Sequence, residues 1–239
     1  NYNCPLCRNR GKTVELVMED GEEKAKFFEC RCMNVRSTIA RMQRSGRQDV
    51  ISKYTLDSFL VENDFQRTLK EAAQGYLKAG TGWFFIGGQS GCGKSHIGTA
   101  IFRELLLAGK TCRYMAWRED APRLKKLLHS EGDEYCAAVD QFKQAQVLYI
   151  DDLFKTGREN GGRFQRPTVA DINLAYEILN YRADRPKLMT ILSSECLLEQ
   201  LIEIDEAIGG RIAELSAPYV FSISPDRTKN YRLRGMGTL

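Results

Sequence analysis

Trp83-Phe84-Phe85-Ile86-Gly87-Gly88-Gln89-Ser90-Gly91-Cys92-Gly93-Lys94-Ser95-His96 is the stretch on which the fold turns. Its first four residues form a short apolar run that ends in two glycines, the pattern of a buried parallel strand. Gly88–Ser95 then fits G-x-x-x-x-G-K-[ST]. Glycine is needed there because successive backbone N–H groups must turn inward around phosphate oxygens, and side chains would block that approach. A helical pattern near 95–108 follows and offers its positive N-terminal end to an anion. On this reading Gly88, Ser90, Gly91, Cys92, Gly93, Lys94, Ser95 and His96 surround a nucleotide. Lys94 reaches its β- and γ-phosphates, and the Ser95 hydroxyl ligates magnesium. A plain turn is the alternative, disfavoured by the strand before the motif and the helix after it.

Moving outward, Gln146-Val147-Leu148-Tyr149-Ile150-Asp151-Asp152 is another buried strand, with two carboxylates at its C-terminal end. Strand ends of that kind border the ligand crevice of open α/β sheets. Asp151 is expected to hold the magnesium, directly or through water. Asp152 stands where a glutamate often polarises the attacking water, and its shorter side chain fits slow hydrolysis. The competing reading is a solvated strand end. Leu188-Met189-Thr190-Ile191-Leu192 leads into Ser193-Ser194-Glu195, where Ser194 either senses the terminal phosphate or caps the next helix. A further strand is expected at Cys112–Trp117, with weaker signals at Val220–Ser224 and Tyr231–Leu233. Helices are expected over Phe65–Ala79 and near 119–129, 169–183 and 205–215. Strand–helix alternation implies an α/β domain whose parallel sheet is covered on both faces.

Two arginines lie outside these motifs. Arg211, in Gly209-Gly210-Arg211, could reach a neighbouring subunit's nucleotide, and Arg232, in Asn230-Tyr231-Arg232, could touch its own. From the residues alone, each reads more readily as a surface salt-bridge arginine. Arg118, Arg123, Lys125 and Lys126, then Lys155, Arg158, Arg163 and Arg166, could neutralise nucleic-acid phosphates, or simply form solvated faces. The glycine-rich segment 157–162 is expected to order on assembly.

The opening residues differ in character. Of eight cysteines, Cys4, Cys7, Cys30 and Cys32 fall in the first 32 residues. Four thiolates complete a closed tetrahedral zinc site, and an Asp20-Gly21 hairpin between Thr13–Met18 and Lys24–Glu29 would bring the pairs together. Disulfides or free thiols are the alternatives. A nucleotide site argues for a reducing cytosol and hence for a structural metal. Residues 1–35 thus form a small module, 36–53 a basic helix or linker, and 54–239 the large domain. The formal charge of +4 permits nucleic-acid contact without requiring it. No apolar run is long enough to cross a membrane, so a cytoplasmic protein is expected. Asn1 as the first residue suggests a trimmed N-terminus.

Taken together, Gly88–His96, Asp151-Asp152, Ser193-Ser194-Glu195, Gly210-Arg211-Ile212, Asn230-Tyr231-Arg232 and the paired cysteines resemble the DnaC/DnaI-like helicase loaders. These are AAA+ ATPases related to the IstB transposition proteins. The resemblance implies an AAA+ core binding ATP and Mg²⁺, self-association through the ATP site, and a zinc-bearing N-terminal region gripping a hexameric replicative helicase. Single-stranded DNA is held along the inner surface of the assembly. It also implies catalytic roles for Lys94, Asp151 and Asp152, a first-sensor role for Ser194, a trans-acting finger at Arg211 and a second sensor at Arg232. Glu195 departs from the asparagine frequent at the sensor, and its carboxylate would repel a terminal phosphate unless a cation pairs with it. An IstB-type regulator and a weakly hydrolysing ATP-sensing adapter remain as alternatives; a small-molecule kinase lacks its arginine-rich lid.

Overall fold

A computed structural model of the chain describes residues 3–19, 21–30, 32–44, 50–128, 133–155, 166–226 and 229–231. It begins with an antiparallel hairpin of β1 (Lys12–Glu19) and β2 (Glu22–Glu29), then α1 (Cys32–Arg44), α2 (Val50–Lys53) and α3 (Asp64–Ala79). The alternating part runs β3 (Trp83–Gly88), α4 (Lys94–Leu107), β4 (Cys112–Ala116), α5 (Trp117–Leu127), α6 (Glu134–Lys143), β5 (Val147–Leu153), α7 (Val169–Ala183), β6 (Met189–Ser194), α8 (Leu198–Ile204), α9 (Glu206–Ser216) and β7 (Val220–Ile223). Five strands pair in the order β4-β5-β6-β3-β7, every neighbour parallel.

Strand β3 shows how the layers are built. All six of its residues are buried, and alternate side chains enter opposite cores, as the period of two requires. Phe84 and Ile86 join Leu69, Ala73 and Tyr76 of α3 and Ile97, Ile101 and Phe102 of α4. Trp83 and Phe85 join Leu174 and Ile178 of α7 and Ile208 and Ile212 of α9. The chain passes from β3 to the far edge at β4 and works back to β6 beside β3. The crevice at this reversal, outside the C-terminal strand ends, is where a ligand binds in such sheets.

The basic stretch after the cysteines is partly built into the sheet. Helix α1 starts at Cys32, puts Val35 and Ile39 against the α3/α4 core, and Thr38 Oγ1 donates to the Cys112 carbonyl at 3.1 Å. Helix α6 has no counterpart among the expected elements, and only Val139 and Phe142 of its ten residues are buried. Tyr135 and Ala138 also pack on the core, so the helix carries a short apolar stripe at helical spacing that the sequence itself displays. Tyr231 lies in a short turn rather than a strand, and Leu233 lies outside the described residues, as do Asp20 of the hairpin turn and segment 157–162.

Arg182 of α7 is fully buried and ties the α6 end to the sheet. Its guanidinium donates to the carbonyls of Phe142, Lys143 and Ala145 at 2.8–3.0 Å, to Met189 O at 2.6 Å and to Thr190 Oγ1 at 2.9 Å. The first three acceptors sit at the negative end of α6, which favours a cation. Burial nonetheless lowers the guanidinium to about 10. Arg182→Met strands five buried acceptors, so a loss of about 3 kcal/mol or more is expected, read by urea unfolding. Arg182→Lys recovers little, because one ammonium cannot reproduce the planar fork.

Candidate nucleotide-binding site

The loop after β3 turns through Gly88, Gly91 and Gly93, all with positive φ, and delivers the chain to α4, whose first turn has no side-chain cap. At Gly91 a side chain is excluded for a second reason: its Cβ would collide with Asn230 Oδ1, while Tyr231 N donates to Gly91 O at 2.9 Å. Asn230 and Tyr231 therefore lie directly on the phosphate loop. Arg232 itself lies outside the described residues.

Lys94 is buried, and its Nζ donates to Gly88 O and Gln89 O, both at 2.7 Å. This folds the ammonium along the loop, and burial lowers its pKa. Ser95 Oγ lies 3.4 Å from Asp151 Oδ1 across the strand ends. Adjacent ligands of an octahedral magnesium with bonds of about 2.1 Å stand about 3 Å apart, so this pair suits one ion with modest closure or an intervening water. Ser90, Gly91, Gly93, Lys94, Ser95, His96, Asp152, Lys155 and Glu195 line a cleft of about 300 Å³, closed on one side by Tyr54, Phe59 and Tyr231.

Asp151 is 1% exposed. Tyr114 OH donates to its Oδ2 at 2.9 Å, and Tyr149 OH and Ser193 Oγ donate to its Oδ1 at 2.9 and 2.6 Å. These hydroxyls replace the water that the side chain gives up on burial. Gly98 of α4 makes room for one of them, since a Cβ there would lie 2.6 Å from Tyr149 OH. Tyr114, Tyr149 and Gly98 have no motif signature; the tyrosines show in the sequence only as polar-tipped aromatics within two strands.

The neighbouring residues divide differently from expectation. Ser193 faces Asp151 and accepts from Asp152 N at 3.0 Å. Ser194, expected in the sensing role, donates to Leu153 O at 2.8 Å and accepts from Cys196 N at 3.1 Å, which commits it to the β5–β6 connection. Asp152 has φ +59°, and Lys155 Nζ bridges Asp152 Oδ2 at 3.1 Å and Glu195 Oε1 at 2.9 Å. Burial alone would lower the Lys155 pKa, but Glu195 and Asp152 outweigh it and raise it. Glu195 thus has the cationic partner that its position demands. Cys92 is turned away, its Sγ on Gln89 O at 2.9 Å, leaving only its backbone to a phosphate. His96 stacks on Tyr54 at 4.5 Å, and its Nε2 lies 2.9 Å from Thr55 O and 3.2 Å from Ser58 Oγ. It anchors segment 54–59 to α4, and burial lowers its pKa.

Arg211 is absent from the cleft lining; its guanidinium donates to Ala207 O at 3.0 Å and lies 5.2 Å from the Tyr176 ring. Lys125 is paired with buried Asp171 at 2.6 Å, whereas Arg118, Arg123, Lys126 and Arg166 are exposed. Arg158 and Arg163 lie outside the described residues.

No family model matches the chain. Two Bacillus subtilis (strain 168) proteins align along nearly all of it. YqaM is 30% identical over 278 residues, covering 97% of this chain and 86% of YqaM. XkdC of the phage-like element PBSX is 31% identical over 254 residues, covering 98% and 88%. The replicative helicase loader DnaC of Escherichia coli (strain K12) is 25% identical over 128 residues, about half of each chain at 52% and 51%. Among solved structures, the DnaC helicase loader superposes with a TM-score of 0.57 at 18% identity, covering 72% of this chain and 98% of the loader. AMPPCP-bound DnaA from Aquifex aeolicus gives 0.56 at 21% identity, covering 76% and 53%. The chain belongs to the DnaC/DnaI-like AAA+ family. Its five-stranded parallel sheet flanked by helices is the AAA+ core.

In this DnaC/DnaI-like chain the N-terminal cysteines converge as well. The Sγ atoms of Cys4, Cys7, Cys30 and Cys32 all lie within 4.8 Å of one another and are buried. Cys4–Cys30 and Cys7–Cys32 stand at 3.7 and 3.4 Å, far beyond a disulfide bond of about 2.05 Å. They approach the edge of about 3.8 Å set by a tetrahedron of zinc–sulfur bonds near 2.3 Å. Cys30 closes the hairpin and Cys32 opens α1, which explains the tight Cys-x-Cys spacing. Burial pushes the Cys7 and Cys32 thiols up; the Gly11 N–H at 3.3 Å and the neighbouring thiols outweigh it at Cys7 and lower its pKa, whereas at Cys32 the same thiols add to burial and raise it.

Two outcomes are expected. Plasma emission analysis of the purified chain finds one zinc per molecule, and Cys30→Ser loses it together with the protease resistance of the first 35 residues. Gly98→Ala displaces Tyr149 from Asp151, lowering stability by about 1–3 kcal/mol in chemical unfolding and weakening Mg²⁺-dependent nucleotide binding.

Proposed function

We propose that the chain is an ATP-dependent loader of a replicative DNA helicase onto single-stranded DNA during replication initiation. The observation that carries this reading is the approach of Ser95 to Asp151 at the end of a parallel sheet, beside a phosphate loop along which the Lys94 ammonium is folded, in a chain of the DnaC/DnaI-like family. Magnesium-bound ATP supplies the energy of assembly and release. Backbone N–H groups of Gly91 to Lys94 and the Lys94 ammonium orient its phosphates, while Ser95 and Asp151 hold the metal. Asp152 positions the attacking water, at a rate kept low by its short side chain and its ion pair with Lys155. That ion pair favours slow turnover, with the protein acting as much as a nucleotide-controlled adapter as an ATPase.

The N-terminal module grips the helicase. Its support is the face of the hairpin that carries Val14, Leu16, Met18 and Phe27, each 56–70% exposed, with Val14 opposite Phe27 in the register. Exposed apolar side chains grouped in this way mark a protein interface. Zinc holds the module together in place of a core. Arg211 on the outer surface of α9 serves a neighbouring subunit's nucleotide, Arg232 its own, and exposed Arg118, Arg123 and Lys126 of α5 meet the DNA backbone.

Lys94→Ala removes the phosphate-loop cation. It is expected to abolish ATP binding and helicase loading on single-stranded DNA, while the zinc content and nucleotide-independent capture of the host helicase stay at wild-type levels. Calorimetry with ATP and pull-down with the host helicase measure the two arms. Capture of a transposase instead of a helicase would transfer the protein to the IstB-type regulators.

A further inference from the structure

At the ends of β5 and β6 the cleft gathers three carboxylates, Asp151, Asp152 and Glu195, around two ammonium groups, Lys94 and Lys155. Asp151 is enclosed by hydroxyls, but Asp152 and Glu195 line the open cleft. The phosphate farthest along a bound triphosphate is the one that approaches these strand ends, where Lys94 also reaches. Two carboxylates in a partly buried cleft oppose that approach, because the repulsion is little screened there.

Lys155 is placed to cancel this repulsion, with one ammonium within 3.1 Å of Asp152 and 2.9 Å of Glu195. The placement is built into the backbone. Asp152 at φ +59° and Phe154 at φ +61° turn the chain sharply after β5, and Lys155 N donates to Asp152 O at 2.9 Å. Phe154, buried edge-on against Trp117 at 5.4 Å, pins the turn. For a residue other than glycine, positive φ is an uncommon and costly conformation, so two such residues among the three that precede Lys155 mark a position held by its surroundings.

We propose that Lys155 gives this cleft its preference for a nucleoside triphosphate over a diphosphate, by masking Asp152 and Glu195 so that a terminal phosphate can enter. Lys155 is a positioning residue acting through the two acids. The inference rests on the nucleotide reading of the cleft.

The test titrates the purified full chain with AMPPCP and with ADP, each with Mg²⁺, by calorimetry. A wild-type chain that binds neither overturns the nucleotide reading and this inference with it. With a wild-type chain that binds, Lys155→Gln is expected to lower AMPPCP affinity about tenfold while ADP affinity stays within about twofold. Adding Glu195→Gln to that variant restores most of the loss, because the charge that needed masking is gone. Glu195→Gln alone, which leaves Lys155 in place should Lys155→Gln fail to fold, raises AMPPCP affinity about threefold at low ionic strength. Equal loss of both ligands in Lys155→Gln, no loss of AMPPCP, a double variant no better than the single, or weaker AMPPCP binding by Glu195→Gln would each overturn the assignment of Lys155 while leaving the nucleotide site standing.

Discussion

Placing a carboxyl group at the buried end of an apolar strand is unfavourable unless hydrogen-bond partners replace the water it gives up. Asp151 is in that position. Two tyrosine hydroxyls from β4 and β5 and one serine hydroxyl from β6 supply the partners, so three adjacent strands must be in register before its oxygens are satisfied. The same register sets Ser95 of α4 opposite Asp151. Helix α4 can lie that close to β5 because residue 98 has no side chain to strike Tyr149. Sheet pairing, helix packing and the electrostatics of the site are in this sense one constraint.

From that centre the cleft acquires its surroundings in layers. The positive-φ turn after β5 folds Lys155 back over Asp152, and the β6 end contributes Glu195 to the same cation. Segment 54–59, held by the His96 ring, and Tyr231, whose hydroxyl donates to Leu60 O at 2.9 Å, close the opposite side. Residues from both ends of the large domain therefore meet at the phosphate loop.

The cysteine cluster and the sheet are physically continuous. Cys32 belongs at once to the four-sulfur cluster and to the first turn of α1, and that helix packs on the core beside β4. A hairpin with one apolar face in solvent cannot fold on its own burial; the four-sulfur cluster at its base and a helix leading into the domain compensate. The exposed face can then be presented from a rigid mount.

Much of this was legible in the chain itself. The phosphate loop, its flanking strand and helix, Asp151 and the four cysteines are local patterns in which residue type and spacing carry the chemistry, because a backbone cradle, a strand end or a thiolate pair needs only its near neighbours. The parallel α/β class followed from alternation for the same reason. Residues that act through distance in the fold were invisible. Ser193 and Ser194 are indistinguishable as neighbours in sequence, and only the pleat, with the β5–β6 register, directs one hydroxyl to Asp151 and the other to Leu153. Lys155 read as one of several basic residues until a backbone turn of positive φ laid it between two acids. Arg182 likewise read as an ordinary helix residue, yet it organises five acceptors from three elements. Spacing along a chain encodes what consecutive backbone units can do together; which side chains share a charge or a hydrogen bond across the sheet is decided by packing.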